Sequence, residues 1–92
     1  MYLTIAIHHP RPEHVADFTA YMQRVRAATG DPPGLIEFRG WRGSDGTTLA
    51  GVATWESEQA FRDALPLIGS IRHERAPEWS ERPDELLTFE SF

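Results

Sequence analysis

The sequence predicts a single α+β domain over residues 1–92, a ferredoxin-like βαββαβ chain with one four-stranded antiparallel sheet and both helices on one face. Three observations predict it. Asp45-Gly46 is a hairpin signal, followed by a Thr- and Val-rich strand over residues 47–55 and a capped helix after Ser57. Val15, Phe18, Met22 and Val25 recur at helical steps ahead of the breaker Gly30-Asp31-Pro32-Pro33-Gly34. Short runs at the two ends of the chain, residues 2–8 and 85–92, supply the first and last strands.

Taken in order, Tyr2 to His8 alternates large and small residues, and Pro10 ends the run. Pro12 suits the first helical position and Glu13 the first turn, so the first helix spans residues 12–29, with Tyr21 and Ala28 widening its apolar face. Leu35 to Arg42 is the second strand, joined to the third by a two-residue turn at Asp45-Gly46. Ser57 caps the second helix, because its hydroxyl accepts a free amide hydrogen of the first turn; Glu56 and Glu58 sit near the positive end of the helix dipole. Ala60, Phe61, Ala64, Leu65 and Ile68 form its apolar face. Pro66 has no amide hydrogen and clashes with the preceding turn, which predicts a break there and a second helical piece over residues 67–74. Residues 76–84 contain Pro77, Trp79 and Pro83 and read as a loop before the final strand.

With Asp45-Gly46 as the turn, Gly40 falls opposite Gly51 and Phe38 opposite Ala53. One sheet face then carries Ile36, Phe38, Gly40, Arg42, Leu49, Gly51, Ala53 and Trp55, continues with Leu3, Ile5 and Ile7, and suits the helices. The other face carries Glu37, Arg39, Trp41, Ala50, Val52 and Thr54. It is too apolar for open solvent, which predicts an isologous homodimer with two sheets face to face. Glycine within a strand often marks close approach by another group, so Gly40 and Gly51 point to space on the helix side, for a helix side chain or a ligand.

Composition excludes several classes. The net charge of −5 argues against a nucleic-acid surface. All nine positive charges are arginines, so a lysine Schiff base is excluded, and without cysteine there is no disulfide, thiolate nucleophile or cysteine metal site. No apolar run approaches the roughly 20 residues that span a bilayer. Residues 2–7 are too short for a signal-peptide core, so a cytoplasmic location is the expectation. A chain this short buries only about 60–65% of its unfolded surface, and pairing is a common source of added stability.

The layout, together with Ser44-Asp45-Gly46-Thr47, the Pro33-Gly34-Leu35 turn and the run Trp55-Glu56-Ser57-Glu58-Gln59-Ala60-Phe61, resembles the antibiotic biosynthesis monooxygenase-like family of dimeric α+β barrels. The resemblance covers the whole chain. It implies a monooxygenase without metal, flavin or haem, acting on an aromatic, polyketide- or quinol-like small molecule and molecular oxygen. The protein's part is to bind a polycyclic phenol, favour its anion and exclude water. In members of the actinorhodin pathway a strand Asn, a Trp, a helix Tyr and a later Arg line the pocket. Trp55 matches; the Asn position falls on Gly51, the Tyr position on Phe61, and the Arg position near Arg72 or Arg75. The absent Asn and Tyr remove two donors that would orient a phenol or stabilise an oxyanion. The haem-degrading branch is less similar: its first-strand Asn falls where Ile7 stands, its helix Trp near Ala64, and its ligating His within one residue of His73.

The candidate site residues follow. Trp55 at the strand–helix junction walls a pocket or packs the core, and the two roles are compatible. Phe61, Gly51 and Arg42 are the further substrate-binding candidates; Arg42 lines the rim or reaches solvent. His73 is the candidate base, with Arg72 and Arg75 as partners for a substrate anion; the run Arg72-His73-Glu74-Arg75 reads equally as a solvated helix end. His8, His9 and His14 invite a metal reading, but adjacent strand residues point to opposite faces, so no metal is expected; His9 could instead approach the pocket mouth. Two further readings share the fold: a non-catalytic dimeric ligand-binding or regulatory protein, and a haem-binding protein through His73.

Overall fold

A computed structural model describes all residues from Met1 to Phe92. The sheet is built from β1 (Tyr2–Pro10), β2 (Leu35–Arg42), β3 (Leu49–Trp55) and β4 (Ser80–Glu90). It is antiparallel in the order β2-β3-β1-β4. Two helices, α1 (Val15–Thr29) and α2 (Glu58–Ile68), connect it in the expected order. A 3-10 turn over Pro12–His14 leads into α1, and two more, Arg72–Glu74 and Pro77–Trp79, precede β4. No helix is long and apolar enough to cross a membrane.

The local signals act through the expected groups. Ser57 Oγ accepts the Ala60 amide at 3.2 Å and caps α2. Gly30, at φ 62°, ends α1. The β2–β3 register is the expected one, with Gly40 opposite Gly51 and Phe38 opposite Ala53. Its turn is built differently. Only Gly46 has positive φ, and the tight turn closes from the Gly46 amide to the Gly43 carbonyl at 3.0 Å. Asp45 then ties down the return strand, accepting from the Thr47 and Thr48 amides and the Thr48 hydroxyl. Those bonds, the Thr48 hydroxyl's foremost, hold its carboxyl at about 2.

Four further expectations are corrected. Pro66 does not break α2, which runs through it to Ile68. The proline sits in the last turn, where one bond is forfeited at exposed Arg62 and the Gly69 amide still reaches the Leu65 carbonyl at 2.9 Å. The last strand begins at Ser80, not Glu85, and takes in Pro83. β4 is an edge strand, where a missing ladder donor is tolerated. Finally, β1 has the opposite phase. Thr4 pairs with Ala53 and Ala6 with Gly51, so Tyr2, Thr4, Ala6 and His8 face the helices. Leu3, Ile5 and Ile7 lie on the open face beside Thr54, Val52 and Ala50. A bulge at Ile36 likewise turns Leu35 inward and leaves Ile36 exposed.

Gly34 joins β2 to the start of α2. Its carbonyl accepts the Glu56 amide at 2.8 Å, its φ is 86°, and an added Cβ would lie 2.5 Å from the Ala60 Cβ. Gly34→Ala is expected to cost about 2–4 kcal/mol, combining left-handed strain of about 1–2 kcal/mol with overpacking. Urea unfolding should show a lowered midpoint with an unchanged slope.

Candidate active site

The helices do not close evenly on the sheet. Buried side chains form two clusters, one of Tyr2, Ala53, Trp55 and Ala64, the other of Phe18, Tyr21 and Leu49. Between them lies a cavity of about 840 Å³, within the usual range for small-molecule sites. Trp55, Phe61 and Ile68 wall one end; Tyr21, Met22 and Val25 of α1 wall the other; Thr4, Ala6, Gly40 and Gly51 form the floor. The glycine pair makes room for α1: the Met22 Cε lies 3.9 Å from where a Gly40 Cβ would stand and 4.0 Å from the Gly51 position.

Trp55 is both core and wall. It is 0% exposed, its Nε1 donates to the Thr4 hydroxyl at 3.1 Å, and its ring lies 5.7 Å from that of Phe61. The structure brings Gly51, Phe61, Arg42, Arg72 and Arg75 to the same cavity. Arg42 and Arg72 have no carboxylate partner. His73 is not brought there: it is exposed on the turn after α2 and does not line the cavity.

The polar end of the cavity is made by residues that sequence reasoning did not join. Arg75 grips Asp84 with both guanidinium arms, Nη2 to Oδ1 at 2.7 Å, and also donates to the Ser80 hydroxyl at 3.0 Å. Its guanidinium lies 4.6 Å from the centre of the Phe18 ring. On the other side of Asp84, His8 Nδ1 approaches Oδ2 at 3.1 Å, close enough for an ion pair but out of line for a straight hydrogen bond. The side chains of His8, Asp84 and Arg75 are 14%, 26% and 16% exposed.

Strand geometry produces this contact. Ile7 pairs with Glu85 and His9 with Arg82, so Pro83 and Asp84 together oppose His8. This bulge aims Asp84 at His8 instead of along the regular ladder. Burial pushes the Asp84 carboxyl up, but the close approach of His8 and the hydrogen bonds and charge of Arg75 outweigh it and hold the group well below the usual carboxylate range. Tyr21 shifts the other way: burial raises its phenol, and the charges of Arg75 and Arg72 offset only part of that. Tyr21 therefore presents a protonated hydroxyl, a donor, to the cavity. The remaining histidines diverge, His9 to Glu85 at 2.7 Å and His14 to Asp17 at 3.0 Å.

Two signals for this cluster were present in the sequence. Asp84 belongs to the strand that Pro83 disguises, and His8 takes its side from the phase of β1.

No protein-family model matches the chain, and no curated protein does. Solved structures do. A Mycobacterium tuberculosis protein, Rv0793, is 19% identical with a TM-score of 0.85, over 99% of this chain and 94% of that one. A mutant of MhuD with two manganese protoporphyrin IX molecules bound per active site is 22% identical, TM-score 0.81, over 99% and 94%. A protein described as an antibiotic biosynthesis monooxygenase is 12% identical, TM-score 0.74, over 100% and 99%. The whole chain therefore has the α+β fold of the antibiotic biosynthesis monooxygenase-like proteins.

Proposed function

We propose that the protein is a cofactor-independent monooxygenase of an aromatic, polyketide- or quinol-like phenol. The observation that carries this reading is the cavity: its walls are aromatic and aliphatic, and apart from Arg26, which lies over Phe38, charged groups concentrate around Tyr21, with Arg72, Arg75 and Asp84. A planar phenol fits the apolar part, and its oxygen falls to the polar end. Arg72 stabilises the phenolate, and the Tyr21 hydroxyl donates to it. These groups supply what the glycine at Gly51 and the phenyl at Phe61 cannot. The electron-rich ring then reacts with molecular oxygen. The phenol C–O and a ring C–H carbon conjugated with it both become C=O, one oxygen atom of O2 enters the product, and the other leaves as water with the two hydrogens lost.

Oxygen uptake with an anthrone or naphthol tests this. Uptake is expected, and Ala6→Phe, which fills the cavity floor, is expected to abolish it while the melting temperature holds. Binding of such phenols without any oxygen consumption would overturn the reading in favour of a non-catalytic ligand-binding protein, which Gly51 and Phe61 favour. The haem reading through His73 loses its ligand, because exposed His73 stands outside the cavity wall.

The active form in this proposal is a homodimer. Leu3, Ile5, Ile7 and Val52 share the open sheet face, and no helix covers Trp41, Leu87 or Phe89, each about half exposed. Patches of this kind mark partner surfaces. Two sheets packed face to face would cover the patch. Light scattering should give twice the chain mass at micromolar concentration, and Trp41→Glu should shift it toward the monomer.

A further inference from the structure

We propose that His8, oriented by Asp84, is the general base that removes the acidic proton of a phenol or enol held in the cavity. This rests on the phenolic substrate proposed above and assigns the proton step to a residue. The O–H bond of the substrate breaks, its proton passes to His8 Nε2, and the electron pair stays on the oxygen.

The assignment follows from elimination and from geometry. Among cavity-lining residues, arginines cannot accept a proton, and Tyr21 keeps its own. Asp84 is engaged by Arg75, and Glu85 points its carboxylate at His9. His8 is the one histidine of the four that lines the cavity. An imidazole suits proton transfer near neutral pH. Asp84, ionised and locked by Arg75, faces Nδ1, favours the tautomer protonated there and leaves Nε2 as the acceptor. It also stabilises the imidazolium once it forms. The Phe18 ring, 4.8 Å from that of His8, and the bulge on β4 fix the imidazole in place. Asp84 touches no substrate atom in this scheme and is a positioning residue.

The test uses 4-nitrophenol, whose neutral and ionised forms differ in colour, bound anaerobically at the pH where the free probe is half ionised. Bound to the wild-type protein, its phenolate-to-phenol ratio is expected to rise about tenfold, the equivalent of one pKa unit. In His8→Gln the bound probe should be mainly neutral, because the apolar cavity then disfavours the anion. Asp84→Asn should lower the phenolate fraction as well. Arg72→Gln, which removes the charge partner of the phenolate, should lower the fraction by less than His8→Gln does, and that order separates proton transfer from mere attraction by a nearby charge. A phenolate signal that survives in a folded His8→Gln, that disappears only in Arg72→Gln, or that never forms in the wild-type protein overturns the assignment. Since no oxygen is needed, ionisation without oxygen uptake would leave the base standing and sink the monooxygenase reading. Oxygen uptake undiminished in His8→Gln would do the reverse.

Discussion

Trp55→Ala is expected to remove most of the stability of the fold. The side chain is 0% exposed and belongs to the cluster that joins β1, β3 and α2. Truncation of a buried tryptophan costs about 3–5 kcal/mol, and an entire domain of this size has only about 5–15 kcal/mol. The melting temperature should fall on the order of 20 °C, at about 4–8 °C per kcal/mol. Trp55 already stands beside a cavity, so the space left by its ring would join that cavity instead of collapsing. Trp55→Phe keeps an aromatic ring and leaves the buried Thr4 hydroxyl without its indole donor, at a cost of about 1–2 kcal/mol. Thermal unfolding of both variants checks the order. A loss below about 1 kcal/mol in Trp55→Ala would show that the tryptophan is a pocket wall without a core role. If the large loss is found, a lost activity in Trp55→Ala reports unfolding, and Ala6→Phe is the better probe of the cavity.

The sequence carried the architecture because its decisive signals are local. Ser57, Gly30, Gly46 and the helical spacing on α1 and α2 act through groups within a few residues of one another. The hairpin register was legible for the same reason, although the turn itself closes on Gly43 and Gly46. The polar end of the cavity depends on pairing between β1 and β4, which are separated by most of the chain. Two ambiguities hid it. Leu3, Ile5 and Ile7 suit a helix-covered face, but the open face is apolar too, so hydrophobicity could not fix the phase of β1. Pro83 argues against a strand unless that strand is known to lie at an edge. The wrong phase put Ile7 where His8 belongs, and the late strand start left Asp84 in a loop. His73 lies beside Arg72 in sequence, yet the 3-10 turn that carries Arg72 into the cavity wall leaves His73 in solvent. Trp79, read as a loop residue, packs its ring 6.2 Å from Phe18 and helps hold the following segment over α1.

Replacing Asp84 by Ala is expected to cost about 3–5 kcal/mol, the range found when one partner of a buried ion pair is removed. Arg75 would keep its charge, nearly buried against Phe18, with only the Ser80 hydroxyl as a side-chain acceptor. The double variant Asp84→Leu with Arg75→Met should recover much of the loss, since a well-packed apolar pair of similar size is often as stable as the ion pair it replaces. The pH dependence has a definite sign. Burial favours the neutral Asp84 carboxyl, but the close approach of His8 and the hydrogen bonds from Arg75 prevail and place its folded value below the ordinary 3.8. A depressed carboxylate contributes stability that is fully present above that ordinary value and is lost as pH falls through the folded one. The gap in melting temperature between wild type and Asp84→Ala should therefore be widest near neutral pH and narrow once the pH drops below about 4. A gap that stays constant down to the lowest pH at which the wild type folds would mean that Asp84 acts through packing alone. The pair would then be a structural clasp, without the fixed negative charge that the orientation of His8 requires.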